Sequence, residues 1–353
     1  REQAKRWRRK QRLAKKEAMA RLPGQTRLQG AAVGAQCLDN YETLLERFRG
    51  WHGQPLPEGA GEMAVLLAEY FDHLFFEGEE LHVGTKTLAA VLHECPQMGR
   101  GSRSSLQVAR QALAGWKRLN PPKARLALPW QLVALIVKLM LDEKRYMMAF
   151  LTVLDFHGYL RPGVALGLRW RNFVPPLVSG RVHGKQPINS QRLWTLNIHY
   201  QEDQVPSKTG TWDETVELGD VCEWRWISGV MESLMGWKAR QKKKDGELLA
   251  DFTMAQWSRT FVRLGQQAGF SRTEMLHLYC LRHGGASHDA AYRVRNIMDI
   301  QKRGAWKTPG SIARYSKPGR LNQVMNILNA AGKKAASSAV AQLPGLLRSA
   351  FSK

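Results

Sequence analysis

Cysteine is scarce in this chain. Its four cysteines, Cys37, Cys95, Cys222 and Cys280, are widely spread and form no CxxC pair. A disulfide framework or a four-thiolate zinc site is therefore not expected. His277, Cys280 and His283 stand at i, i+3 and i+6 and could share one helix face, but nothing near them completes a zinc site. No metal and no cofactor is expected. No stretch approaches eighteen uncharged apolar residues, which argues against a membrane span. The pattern LVALIVKLML, residues 132–141, is too short for a bilayer and typical of a buried core helix. A Walker loop and a dinucleotide fingerprint are missing. Gly284 and Gly285 are read as following a helix rather than a strand, so they say nothing about nucleotides. No internal repeat is visible.

Acidic side chains are the other shortage. Thirty Asp and Glu face 53 Lys and Arg, for a formal net charge of +23. Such an excess repels itself in the compact state and is easiest to understand if a polyanion neutralises part of it. Charge alone leaves DNA, RNA, the ribosome and an anionic membrane surface open. The first 21 residues carry ten basic and two acidic side chains. They read either as a DNA-contacting arm or nuclear targeting segment, or as a solvated basic helix or tail. They lack the apolar segment of a secretory signal, so secretion is not expected, and the missing initiator Met points to a processed or truncated start.

What is present is the composition of a folded protein, 44% apolar and 24% charged, in 353 residues, enough for two cored domains. Residues 1–37 read as a basic arm followed by a Gly-, Ala- and Gln-rich linker over 22–36. Apolar residues then recur at helical spacing: Tyr41, Leu44, Leu45 and Phe48; Met63, Leu66, Leu67, Tyr70, Phe71 and Leu74; a short run over 85–93; and 106–119. This helical block, 38–122, closes at NPPKARLALP, whose prolines make a boundary. A second block spans 123–320. Helices are expected over 130–141, 146–156, from about 224, over 253–268 and over 284–302. Between them, RLWTLNIHY (192–200) and ETVEL (214–218) read as strands of a hairpin turning near Gly210. The expected fold class is mainly α with a small antiparallel β hairpin or sheet. In the tail, 321–353, Leu321, Val324, Met325 and Leu328 form one apolar stripe, and a short second helix is expected to break at Pro344.

Covalent cleavage of a phosphodiester needs a nucleophile, positive donors for the nonbridging oxygens and an acid for the leaving oxygen. Arg, Lys and Tyr can supply all three, and four segments offer them in order: GYLRPGVALGLRW (158–170), PSKTG (206–210), LYCLRHGGAS (278–287) and RGAWKTPGSIARY (303–315). In wording and order these resemble the motifs of the tyrosine recombinase (phage-type integrase) family, with LRHGG and the RPG turn most similar to eukaryotic mobile-element members. The resemblance places the first arginine on Arg161, the hairpin lysine on Lys208, the second arginine on Arg282 with His283 beside it, the His-or-Trp position on Trp306 and the nucleophile on Tyr315. Tyr279 stands where the family most often has His, and Val164 stands where it commonly has Glu.

The resemblance implies a two-domain clamp around double-stranded DNA, with 38–122 as the helical DNA-binding domain and 123–320 as the catalytic domain. It implies strand cleavage and rejoining through a 3′-phosphotyrosine without metal or ATP, as in DNA integration. Arg161 and Arg282 would bind the phosphate, Tyr315 would attack and Lys208 would protonate the leaving 5′-oxygen. His283, Arg169, Lys307 and Arg314 would contact DNA or orient these groups, and Tyr279 would at best donate a hydrogen bond. The tail packs either on its own domain or, as the resemblance implies, into a neighbouring protomer of a tetramer formed on DNA. The expected location is the nucleus in a eukaryote, otherwise the nucleoid or cytoplasm. Two other readings stay open: a degraded relative that binds DNA without cutting it, and a basic RNA-binding or ribosome-associated structural protein.

Overall fold

The computed structural model describes residues 26–99, 106–121, 127–177, 193–200, 212–272, 275–308 and 318–352. The chain divides into two compact units, Arg1–Ala124 and Arg125–Lys353.

The described part of the first unit is helical: α1 (Arg27–Gly30), α2 (Ala35–His52), α3 (Ala60–Phe76), α4 (Leu81–Glu94) and α5 (Gln107–Leu119). The apolar stripes read from the sequence are its core, with Leu45, Phe48, Leu67, Tyr70, Phe71 and Leu74 buried together. Helix α4 begins four residues before the expected 85. Its Gly84 lets it approach α5: a Cβ there would meet the Trp116 ring at 2.9 Å. The stretch read as a linker contains the helical turn α1, because Thr26 and Gln29 form a reciprocal capping box around its first orphan amides.

The second unit holds α6 (Trp130–Asp142), α7 (Tyr146–Gly158), α8 (Pro162–Leu166), β1 (Phe173–Val174), β2 (Trp194–Ile198), β3 (Glu214–Leu218), α9 (Trp226–Arg240), α10 (Met254–Gln267), α11 (Tyr279–Ala291), α12 (Ile297–Arg303), α13 (Pro318–Ile327) and α14 (Ala330–Ser352). The three strands form one antiparallel sheet in chain order, with Leu196 opposite Val216. Trp194, Leu196 and Ile198 alternate inward, as a half-buried strand requires. The two-residue β1 was not anticipated, being too short to carry a period.

Three other expectations are corrected. The first arginine motif resembles a turn opening a helix that ends in Leu168-Arg169-Trp170, but helix α8 ends at Leu166, because Arg169 leaves the helix to bridge Leu248. Gly284 and Gly285 lie inside α11 rather than after a helix. Pro344 sits within the 23-residue α14. The missing proline N–H costs one helical hydrogen bond, but Leu343, Leu347 and Phe351 are buried around it. Burial of each such side chain contributes about 1.5–3 kcal/mol, so packing outweighs the breaker. The tail packs on α6, α7 and α9 of its own chain, with Phe351 edge-on to Phe150 and Trp237 and its carbonyl accepting from Arg240.

Candidate functional site

Arg282 is the centre of the site. It lies one turn into α11 and is 4% exposed. Its Nη1 donates to the main-chain carbonyl of Tyr159 and its Nη2 to that of Gly304. The guanidinium carbon stands 4.7 Å from the centroid of the Trp306 ring, within cation–π range. Three of the sequence motifs thus meet at one guanidinium: the turn before Arg161, the second arginine motif and the tryptophan segment. These two bonds fix the plane of the guanidinium.

Two glycines allow this convergence. A Cβ on Gly285 would collide with the carbonyl oxygen of Phe156 and come within 2.9 Å of the Tyr159 ring. A Cβ on Gly284 would meet the Phe156 ring at 2.8 Å. The close contact is with backbone, which cannot swing aside. Gly285→Ala is therefore expected to force α11 from α7 and destabilise the fold by about 1–3 kcal/mol or more. Gly163→Ala, in the exposed first turn of α8 with nothing within 4 Å of the added carbon, is expected to be neutral or stabilising by up to about 1 kcal/mol. Urea unfolding of the two variants checks this; equal stabilities would refute the close-packing account.

The tryptophan segment is set by a helix stop. Trp306 N–H bonds to Gln301 O at 3.1 Å and Ala305 N–H to Lys302 O at 3.0 Å, with Ala305 left-handed at φ 48°. This is the Schellman pattern, and it leaves the Gly304 carbonyl available to Arg282. Gln301 Nε2 also donates to Trp306 O at 3.0 Å. On the other side Arg161 N-caps α8, two residues beyond Tyr159. Its guanidinium, partly exposed, makes no hydrogen bond or ion pair with another described residue.

Behind this layer lies a buried ionic network. Arg295 grips Asp220 with two nitrogens, the Nε bond being 2.9 Å, and Asp289 with the third. Arg303 donates to His157 O at 2.9 Å, His157 Nε2 at 2.8 Å and Glu217 O at 2.8 Å. Burial pushes the Asp220 carboxyl up, but the Arg295 hydrogen bonds and the charges of Arg303 and Arg295 outweigh it and hold its pKa below the usual value. Burial and the two neighbouring guanidiniums push His157 well below the usual imidazole value, so it stays neutral and accepts from Arg303. The carboxyl of Asp155 is fully buried and neither of its oxygens has a hydrogen-bond partner. Burial drives its pKa well above the usual carboxylate value, against the pull of Arg282.

Of the residues singled out by sequence, Arg282 and Trp306 are brought into contact, and Arg161 follows by two residues the Tyr159 whose carbonyl Arg282 reaches. Tyr279 opens α11 and packs its ring on His283, centroids 5.1 Å apart. Arg169 donates to Gly246 O, which ties it to the loop before α10. It also lines a cleft of about 500 Å³ with Gly163, Val164, Arg171, Asn172 and His199. Lys307 is exposed. Lys208, Arg314 and Tyr315 lie outside the described residues. Sequence reasoning missed Tyr159, Asp220, Asp289, Arg295 and Arg303. One signal was present: Asp289 follows Arg282 by seven residues, which puts both on one helix face. Among the described residues no cluster of three or more His, Cys, Asp or Glu could hold a metal ion, and no helix is long and apolar enough to cross a membrane.

No family model and no curated protein matches the chain. Among solved structures it is similar to the crystal structure of XerA recombinase, with a TM-score of 0.39 and 15% identity, covering 85% of this chain and 94% of that one. It is similar also to XerH site-specific recombinase bound to difH substrate in a pre-cleavage complex, with a TM-score of 0.41 and 15% identity, covering 88% and 91%.

Proposed function

We propose that this chain cleaves and rejoins DNA strands through a phosphotyrosine, as a recombinase of the tyrosine type. The observation that carries the reading is the meeting at Arg282 of three motifs that the sequence holds in family order. Arg282 is fixed by two carbonyls and an indole face, and Arg161 stands two residues from one of those carbonyls. The fixed guanidinium of Arg282, joined by that of Arg161, can bind the nonbridging oxygens of one phosphate bidentately. Tyr315 attacks phosphorus and forms the 3′-phosphotyrosine, while Lys208 gives its proton to the departing 5′-oxygen. A 5′-hydroxyl from a partner strand then displaces the tyrosine. The phosphoester bond energy is conserved, so the exchange needs no ATP. Exchange between two duplexes takes four such sites, hence a tetramer on DNA.

The test incubates the full chain with a pool of nicked duplexes of randomised sequence, with and without chelator, and looks for protein carrying covalent DNA on a denaturing gel. An adduct that survives chelation is expected. Retention of intact duplex should fall about 10³–10⁵-fold between 50 and 200 mM salt if six to ten phosphates are contacted. Salt-sensitive retention with no adduct would instead identify a DNA binder that does not cut, the reading that Val164 and Tyr279 favour. Salt-insensitive retention, or preference for RNA, would overturn the DNA reading altogether.

A further inference from the structure

We propose that Tyr159 is the positioning residue of this site: its carbonyl holds Arg282 while its ring holds Trp306 against the same guanidinium. The proposal rests on the strand-transfer reading above and adds to it a residue of the first motif to which the resemblance assigns no role. Tyr159 is the left-handed end of α7, at φ 49° and ψ 38°. Non-glycine residues seldom adopt this conformation, and an aromatic one does so only where its surroundings hold it there. Three contacts hold it, besides the Arg303 guanidinium 5.8 Å from its ring centroid. Its carbonyl accepts from Arg282 Nη1. Its ring stacks on Trp306, centroids 6.1 Å apart at 24°. Its hydroxyl donates to Asp289 Oδ2, the same oxygen that accepts from Arg295.

The three contacts reach two places on α11 and the turn after α12. The carbonyl meets α11 near its start, the ring meets the turn after α12, and the hydroxyl meets α11 two turns further along. Tyr159 thus joins Arg282 and Trp306, the groups that would face the phosphate, through its carbonyl and its ring, while the hydroxyl adds a secondary tether to the ionic network. The hydroxyl serves as a tether: burial, then the Asp289 charge, pushes its pKa well above the usual phenol value, so it remains a donor. The turn places Arg161 two residues further on, so one conformational choice sets the carbonyl under one arginine and the backbone of the other.

Tyr159→Gly and Tyr159→Phe separate these roles. Glycine adopts the left-handed turn freely and keeps the carbonyl but deletes the ring. Phenylalanine keeps the ring and deletes the tether. Adduct formation from the nicked pool is measured at saturating DNA, with half-saturation recorded in parallel. The chain is also labelled with fluorotryptophan, and the resonance of residue 306 is identified with Trp306→Phe. Tyr159→Gly is expected to slow adduct formation about 100-fold, the cost of roughly 1 Å of misplacement, with half-saturation within about threefold. Its 306 resonance should move. Tyr159→Phe should stay within about fivefold of the parent, with the resonance unmoved. Parental rate and an unmoved resonance in Tyr159→Gly would overturn the proposal. So would Tyr159→Phe falling as far as the glycine variant, an arm that stands even if the glycine variant does not fold. If the parent chain forms no adduct, the strand-transfer reading fails, and the 306 resonance alone decides whether Tyr159 fixes Trp306.

Discussion

Tyr315→Phe is expected to abolish the covalent protein–DNA adduct and leave retention of intact duplex within about twofold of the parent. Only a hydroxyl is lost, and removal of a nucleophile from a cooperating site costs a factor on the order of 10⁴–10⁶ in rate. Electrostatic retention depends on the large basic excess and barely notices one neutral side chain. The adduct peptide from the parent chain gives the direct check, and it should contain Tyr315. An adduct on exposed Tyr292, or on Tyr279 at the start of α11, would move the nucleophile. Tyr159 is not a rival, since its hydroxyl is buried and committed to Asp289.

Arg295→Met is expected to cost about 3–5 kcal/mol of folding stability, the largest effect of any substitution outside the phosphate-binding groups. The loss comes from what is left behind. Asp289 would lose its strongest partner while fully buried, and Asp220 would lose its own while largely shielded from water. Urea unfolding at pH 7 measures it, and a cost below about 1 kcal/mol would show that the network is an incidental surface-like pairing.

The same comparison repeated at lower pH carries a sign. The folded pKa of Asp220 is depressed, so its contribution is present above the ordinary carboxylate range and is lost as pH falls through the depressed value. The gap between parent and Arg295→Met should therefore narrow below about pH 4. His157 acts earlier. It is held neutral, and the unfolded chain takes up a proton below about pH 6.5, so its own contribution is lost as pH falls from 7 towards 5, against the opposite contribution of Asp155, whose raised pKa favours the fold as pH falls.

Most helices were legible because their information is local. Leu66, Leu67, Tyr70, Phe71 and Leu74 announce a buried face by spacing alone, and the same face is buried in the fold. Legibility failed where local and tertiary preferences conflict. Pro344 should stop a helix, yet the apolar residues around it are worth more against α6 and α9 than the hydrogen bond it lacks. Gly284 and Gly285 would ordinarily weaken a helix, yet they are what lets α11 touch α7. Arg169 continues a helical-looking run but bridges to Leu248, a partner distant in sequence.

The sequence by itself determined the strong positive charge, the helical character with one small sheet, and the order of four motifs rich in Arg, Lys and Tyr. Those properties depend on composition and short-range period, which a chain carries before it folds. Only the tertiary structure decided what Arg282 touches, that Tyr159 stands between it and Trp306, and that four charged side chains from distant segments form one buried network. Tyr159 and Arg282 are 123 residues apart, and Arg303 and His157 are 146 apart. Contacts at such separation are set by how closely two helices pack. Here that is decided by the absence of a side chain at Gly285, a fact without meaning until the carbonyl of Phe156 is seen beside it.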